Sequence, residues 1–173
     1  MQGSINYILP GFKKGAFFIV TQNGQVHAYV FENPSKQVNK IQHRLLCSYQ
    51  IEGYTTCASI CPKTRFIIVG TSNLQGKLTK LVVLEIADNY DLSQYASVDY
   101  TKNTETLGKK TNSFFSDIVT TYIGGCPIIA CIQRAGDNSI TLYFLKGHYM
   151  SETKSYINYF SGSVFKACLM RCR

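Results

Sequence analysis

Four cysteines fall into two matched pairs, Cys57-x3-Cys61 and Cys168-x3-Cys172, 111 residues apart. Two such pairs are able to offer four thiolates to a structural zinc ion, whose paired ligands usually sit a few residues apart. Residues four apart on a β-strand also share a face, so the same spacing suits small buried side chains at equivalent places in two repeated units. The second reading is preferred, because both pairs lie in strand-like stretches and not in turns. Cys126-x4-Cys131 flanks Pro127 and an apolar run, and reads as core for the same reason.

Other catalytic signatures are weaker still. His27, His43 and His148 have no metal-ligand spacing and no nucleophile motif beside them, and no Gly-x-Ser-x-Gly occurs. The ten carboxylates show no catalytic spacing. Gly70-x5-Gly76-Lys77-Leu78 is one residue too long for a phosphate-binding loop. It also puts Leu78 where Ser or Thr is required, and a strand follows it instead of a helix. The chain is expected to be no enzyme, to use no cofactor or metal, and to have no small-molecule substrate.

Charge is the remaining chemical signal. Eighteen Lys and Arg against ten Asp and Glu give +8, a balance that favours an acidic partner. The excess is dispersed: Lys13-Lys14 and Lys109-Lys110 are the only adjacent basic pairs. Lys63, Arg65, Lys77 and Lys80 gather around one stretch of sequence and are the candidate nucleic-acid contacts, with Tyr and Phe available to stack on bases.

The seven cysteines are an odd number, and Asn33-Pro34-Ser35 is barred from glycosylation by its proline. The first 21 residues lack a basic leader and are broken by Pro10-Gly11 and Lys13-Lys14, so they do not resemble a signal peptide. No apolar run reaches the roughly 18 residues of a membrane-spanning helix. Reduced thiols in the cytoplasm or nucleus are the expectation.

What must position these residues is a set of short strands. Apolar segments of four to nine residues, rich in Val, Ile, Tyr, Phe and Thr and bounded by Gly, Asn, Asp or Pro, make the chain all-β. Phe17 to Thr21 and Val26 to Phe31 flank Gln22-Asn23-Gly24-Gln25, where Asn-Gly predicts a two-residue type I′ hairpin. The pattern recurs as Phe66 to Thr71 with Leu78 to Ile86, and as Ile128 to Ile132 with Ser139 to Leu145. The copies begin 49 residues apart (Phe17 to Phe66) and then 61 apart (Ile67 to Ile128), a spacing at which repeated architectures are expected. Tyr54 to Ile60 and Phe115 to Tyr122 read as strands preceding the second and third hairpins. Gln42 to Ile51, Gln94 to Tyr100 and Lys154 to Phe160 read as strands following the three hairpins. Each unit is thus a four-stranded antiparallel meander, with Val164 to Met170 starting another. Residues 101–113 are polar and Thr-rich and predict a surface loop, while Asn89 to Tyr95 has room for a short turn of helix.

In these repeats the chain resembles degenerate WD-repeat-like β-propeller blades. There is no Trp, so Leu84-Glu85, Tyr143-Phe144 and Tyr29-Val30 stand where the Trp-Asp pair would end each third strand, and the sole Gly-His, Gly147-His148, follows a third strand. At about 45 or more residues per blade, one domain over residues 1–173 holds about three to three and a half blades, fewer than the four to eight of a closed ring. A fragment of a longer protein, a ring completed by another chain, or a β-barrel or β-sandwich are the alternatives. The end of the sequence inside an apparent strand favours the first two. The resemblance implies a non-catalytic protein-interaction scaffold, a subunit that meets other proteins through strands near Phe17 to Phe31 and Val164 to Met170. The alternative is a basic β-protein that binds nucleic acid within a complex.

Overall fold

The computed structural model describes residues 3–32, 42–61, 63–74, 78–99, 114–123, 126–134 and 140–156. All regular structure among them is β. The strands are β1 (Ile5–Pro10), β2 (Ala16–Thr21), β3 (Gln25–Glu32), β4 (Gln42–Gln50), β5 (Tyr54–Cys61) and β6 (Phe66–Ser72). They continue as β7 (Leu78–Ile86), β8 (Leu92–Asp99), β9 (Phe114–Ile123), β10 (Cys126–Arg134), β11 (Ile140–Lys146) and β12 (Tyr149–Tyr156). Each set of four consecutive strands forms one antiparallel sheet in sequence order, giving three separate meanders and neither a barrel nor a sandwich. Strand β5 lies beside both β1 and β9, so the first strands of the three sheets are neighbours.

The sheets stack face to face, and two cores fill the gaps. One core holds Phe18, Val20, Val26 and Ala28 of the first sheet against Ile67, Val69, Val82 and Leu84 of the middle sheet. The other holds Ile68, Leu81 and Val83 of the middle sheet against Phe115, Ile129, Cys131 and Tyr143 of the third. Successive side chains of a strand point to opposite faces, so β6 and β7 supply both cores in alternation. This is why Phe66 to Val69 is an unbroken apolar run: all of β6 is buried. The outer strand β4 is exposed or half-exposed along its length.

The same two irregularities recur in every sheet. Between the first and second strands the register skips Asn6, Thr56 and Ser116 respectively. Between the third and fourth strands it skips Leu46, Tyr95 and Thr153. A bulge bends and twists its strand, so three equivalent pairs of bulges give the three sheets a common shape that their side chains do not advertise.

Some expectations change. The Asn23-Gly24 turn is not type I′, because only Gly24 has positive φ, at 81°. Thr21 and Gln25 frame a three-residue loop, closed by Gly24 N–H donating to the Thr21 carbonyl at 3.2 Å. The Thr21 hydroxyl accepts from Gln25 N–H at 3.0 Å. That side-chain brace stabilises the longer loop, which is built as a type I turn followed by a left-handed glycine. Asn89 to Tyr95 forms no helix: a tight turn, Ala87 N–H to the Asp91 carbonyl at 3.0 Å, leads straight into β8 at Leu92. Strand β12 begins at Tyr149, five residues before the expected Lys154, because Gly147-His148 makes a two-residue turn directly after β11. The 101–113 stretch and the Val164 to Met170 stretch lie outside the described residues.

Candidate functional site

The first sheet has one face in the core and one face turned away from the other sheets. Cross-strand register places Ile8, Ile19, His27 and Ser48 in one row of that outward face, Phe17, Tyr29 and Leu45 in the next, and Phe31 with His43 in a third. The rings form a ladder. Phe17 stacks on Phe31 with centroids 4.6 Å apart and on Tyr29 at 5.4 Å, and His43 meets Tyr29 edge-on at 5.5 Å. Such pairs favour a flat, rigid apolar surface. Ile8 is 66% exposed, while Phe31 and Leu45 are each 47% exposed.

A polar flaw sits in this face. His27 is buried, its Nδ1 sharing a 2.7 Å hydrogen bond with Ser48 Oγ, while Nε2 is buried with no hydrogen-bond partner. Burial holds its pKa below the ordinary histidine value.

The four candidate nucleic-acid contacts do not form one patch. Lys63 and Arg65 lie in the β5–β6 turn, whereas Lys80 pairs in register with Thr71 near the opposite end of β6. Arg65 is ion-paired with Asp88, and Lys80 with Glu52. Those contacts lower the Asp88 pKa and raise that of Lys80. Lys63 stands over the Tyr122 ring, 5.9 Å from its centroid. Lys77 lies outside the described residues. Of the partner-facing residues, Phe17 and Phe31 share the aromatic ladder, and Val164 and Met170 lie outside the described residues. Ile8, His43 and Leu45 complete the face and were not singled out from sequence, although Leu45 and His43 alternate along β4 on the side that Tyr29 and Phe31 require.

The cysteines behave as core. Cys57 and Cys61 both point into the second core, as i and i+4 on one strand should. Burial pushes the Cys57 thiol up to about 12 and raises Cys131 as well. Thiols in that state are poor nucleophiles. Gly70 leaves room for them: a Cβ there would sit 2.7 Å from Cys57 Sγ, so it is a packing glycine and not half of a phosphate loop. Among the described residues no three His, Cys, Asp or Glu side chains are placed to hold a metal ion. No helix among them is long and apolar enough to cross a membrane.

No protein-family model matches the chain, and no curated protein sequence does either. Solved structures do match. The β-propeller domain of Cps50 (Swd1) from Myceliophteria thermophila superposes with a TM-score of 0.58 at 11% identity, covering 88% of this chain. The three sheets are β-propeller blades. The WD40 β-propeller domain of Doa1 also matches, at 9% identity and a TM-score of 0.39, over 93% of this chain and 60% of that one. This chain spans 42% of the Swd1 chain. The aromatic ladder is therefore the face of a first blade on the side where, in a closed ring, the next blade would pack.

Proposed function

We propose that the chain is a non-catalytic protein-interaction scaffold, a subunit of a larger assembly whose first blade docks a β-sheet of a partner protein. The observation that carries this is the exposure of Ile8, Phe31 and Leu45 on the outward face of blade one. The other described apolar faces of blades one and two are each covered by a neighbouring blade, and a sheet is the shape that covers them. Contiguous apolar patches on a protein surface mark contact sites. The unpartnered His27 Nε2 adds a polar group that a partner can satisfy. Blade likeness to WD40 domains supports the same class of function, since these folds present surfaces and not reaction centres. The odd cysteine count, with five unpaired thiols among the described residues, supports a reducing compartment, cytoplasm or nucleus, for this assembly.

Light scattering on the purified 173-residue chain tests the reading. The unaltered chain should self-associate or precipitate as its concentration rises. The Phe31→Ser, Leu45→Ser double variant should stay dispersed with an unchanged melting temperature, since both side chains are already half in water. An unaltered chain that remains a well-dispersed monomer at all concentrations would overturn the docking face.

A further inference from the structure

Where the β2–β3, β4–β5 and β6–β7 connections of blades one and two converge, a cleft of about 340 Å³ opens. Asn6 of β1 and Gln22 of the β2–β3 loop form one wall. Tyr54 and Thr55 of β5, with Ser72 and Leu74 at the far end of β6, form the other. No residue lining it carries a charge. The volume falls within the range of ordinary ligand sites, but the cleft is open and suited to a passing chain more than to an enclosed small molecule.

Thr55 is the residue that gives the cleft a purpose. Its backbone is fully used: its N–H donates to the Gln22 carbonyl at 2.8 Å, and its carbonyl accepts from Asn6 Nδ2 at 3.0 Å. Its hydroxyl, on a side chain 5% exposed, has no hydrogen-bond partner. Leaving a buried hydroxyl unmatched is unfavourable, and Val in its place would fill the same volume without that cost. Beside it, Leu74 is 85% exposed and Tyr54 is 38% exposed, two apolar surfaces at the mouth of a neutral, amide-rich groove.

We propose that this cleft binds an extended, uncharged segment of a partner polypeptide. An amide of that segment, main-chain or from Asn or Gln, bonds the Thr55 hydroxyl, and an adjacent apolar side chain rests on Leu74 and Tyr54. The proposal deepens the scaffold reading by adding a second contact, and it is separable from the first, since Phe31 and Leu45 line no part of the cleft.

The test uses the full chain, sparsely immobilised on a biosensor so that copies do not meet. The probes are blocked pentapeptide mixtures, acetyl-Ala-x-Gln-x-Ala-amide and the same with Glu or Lys at the centre, x being Leu, Val or Phe. The glutamine mixture should bind about fivefold or more tighter than either charged one, because a charge entering a neutral cleft loses water without gaining a partner. Its affinity should change less than about twofold between 50 and 500 mM NaCl. Thr55→Val should weaken binding about tenfold while the melting temperature holds or rises. Leu74→Ser, at an exposed position, should weaken it without touching the fold. The Phe31→Ser, Leu45→Ser chain should bind the glutamine mixture as the unaltered chain does. Equal binding of the charged mixtures, no binding of any mixture, a steep salt dependence, or wild-type affinity in Thr55→Val or in Leu74→Ser would each overturn the proposal. Loss of binding in the Phe31→Ser, Leu45→Ser chain would show that the cleft is no independent site, and the proposal would then fall as well.

Discussion

Gly24 shows how much one residue holds. Its φ of 81° disfavours any side chain, and a Cβ there would stand 2.3 Å from the Ile51 carbonyl oxygen. That closeness exists because the Gly24 carbonyl accepts the Ile51 N–H at 2.9 Å, joining the first blade's loop to the connection entering the second. Gly24→Val should therefore lose roughly 2 kcal/mol or more of stability, through both the strained backbone and the broken link between blades. A denaturant midpoint equal to that of the unaltered chain would refute the loop geometry. His27 makes a different prediction. Its pKa is depressed on folding, so the unfolded chain, with its imidazole near the usual value of about 6.5, takes up a proton more readily. The stability linked to His27 is then fully present above that value and is lost as pH falls through the folded one. Around the ring stand Ser48, Tyr29 and, beyond Tyr29, His43, with no carboxylate in the ladder to offset the charge. His27→Gln should narrow the gap between melting temperatures at pH 7.5 and pH 5.5. An unchanged gap would assign the acid sensitivity to other groups.

At the scale of elements, the legible parts were those where local chemistry and burial agree. Runs such as Phe66 to Val69 announce a strand buried on both faces, and alternation within them determines which side chains meet which blade. The i, i+4 cysteines followed the same rule. What escaped were features decided by distant contacts or by the backbone alone. The β2–β3 loop took a third residue because the Thr21 hydroxyl braces it, a bond that the Asn-Gly pair does not reveal. Tyr90 has φ of 71°, unusual for a bulky residue, and turns the chain into β8 where a helical turn had been expected. It is kept there by Lys13, whose N–H donates to the Tyr90 hydroxyl at 3.1 Å from 77 residues away, and by packing near Phe18. The repeated bulges at Asn6, Thr56 and Ser116 carry three different residue types, so no sequence pattern marks them. The outward ladder was visible only in part: Phe17 and Phe31 lie in plain apolar runs, but Leu45 and His43 sit in a polar-looking β4, and only the register joins them. The Thr55 cleft gave no signal, being assembled from five separate segments.

In the molecule as a whole, each blade is made of strands adjacent in sequence, and blades meet only their neighbours. Stability in such an array is approximately a sum of what each unit contributes and what each junction contributes. The middle blade has two junctions. Blade one has one junction among the described residues, and its outer strand β4 faces water. Opening should therefore start at the margin: amide hydrogens of β4 should exchange with solvent through small local fluctuations, and those of β6 and β7 only when both cores separate. Hydrogen–deuterium exchange read strand by strand is the measurement, with protection expected to rise from β4 through β3 and β2 to β6. Uniform protection across blades one and two would mean that they unfold as one block. Should a partner sheet cover the aromatic ladder, its arrival would be seen first as slowed exchange in β3 and β4, the strands that gain a junction, while β6 and β7, already held from both sides, would register little. The double burial of β6 thus makes it an internal clock, against which the tightening of the blade-one margin can be timed.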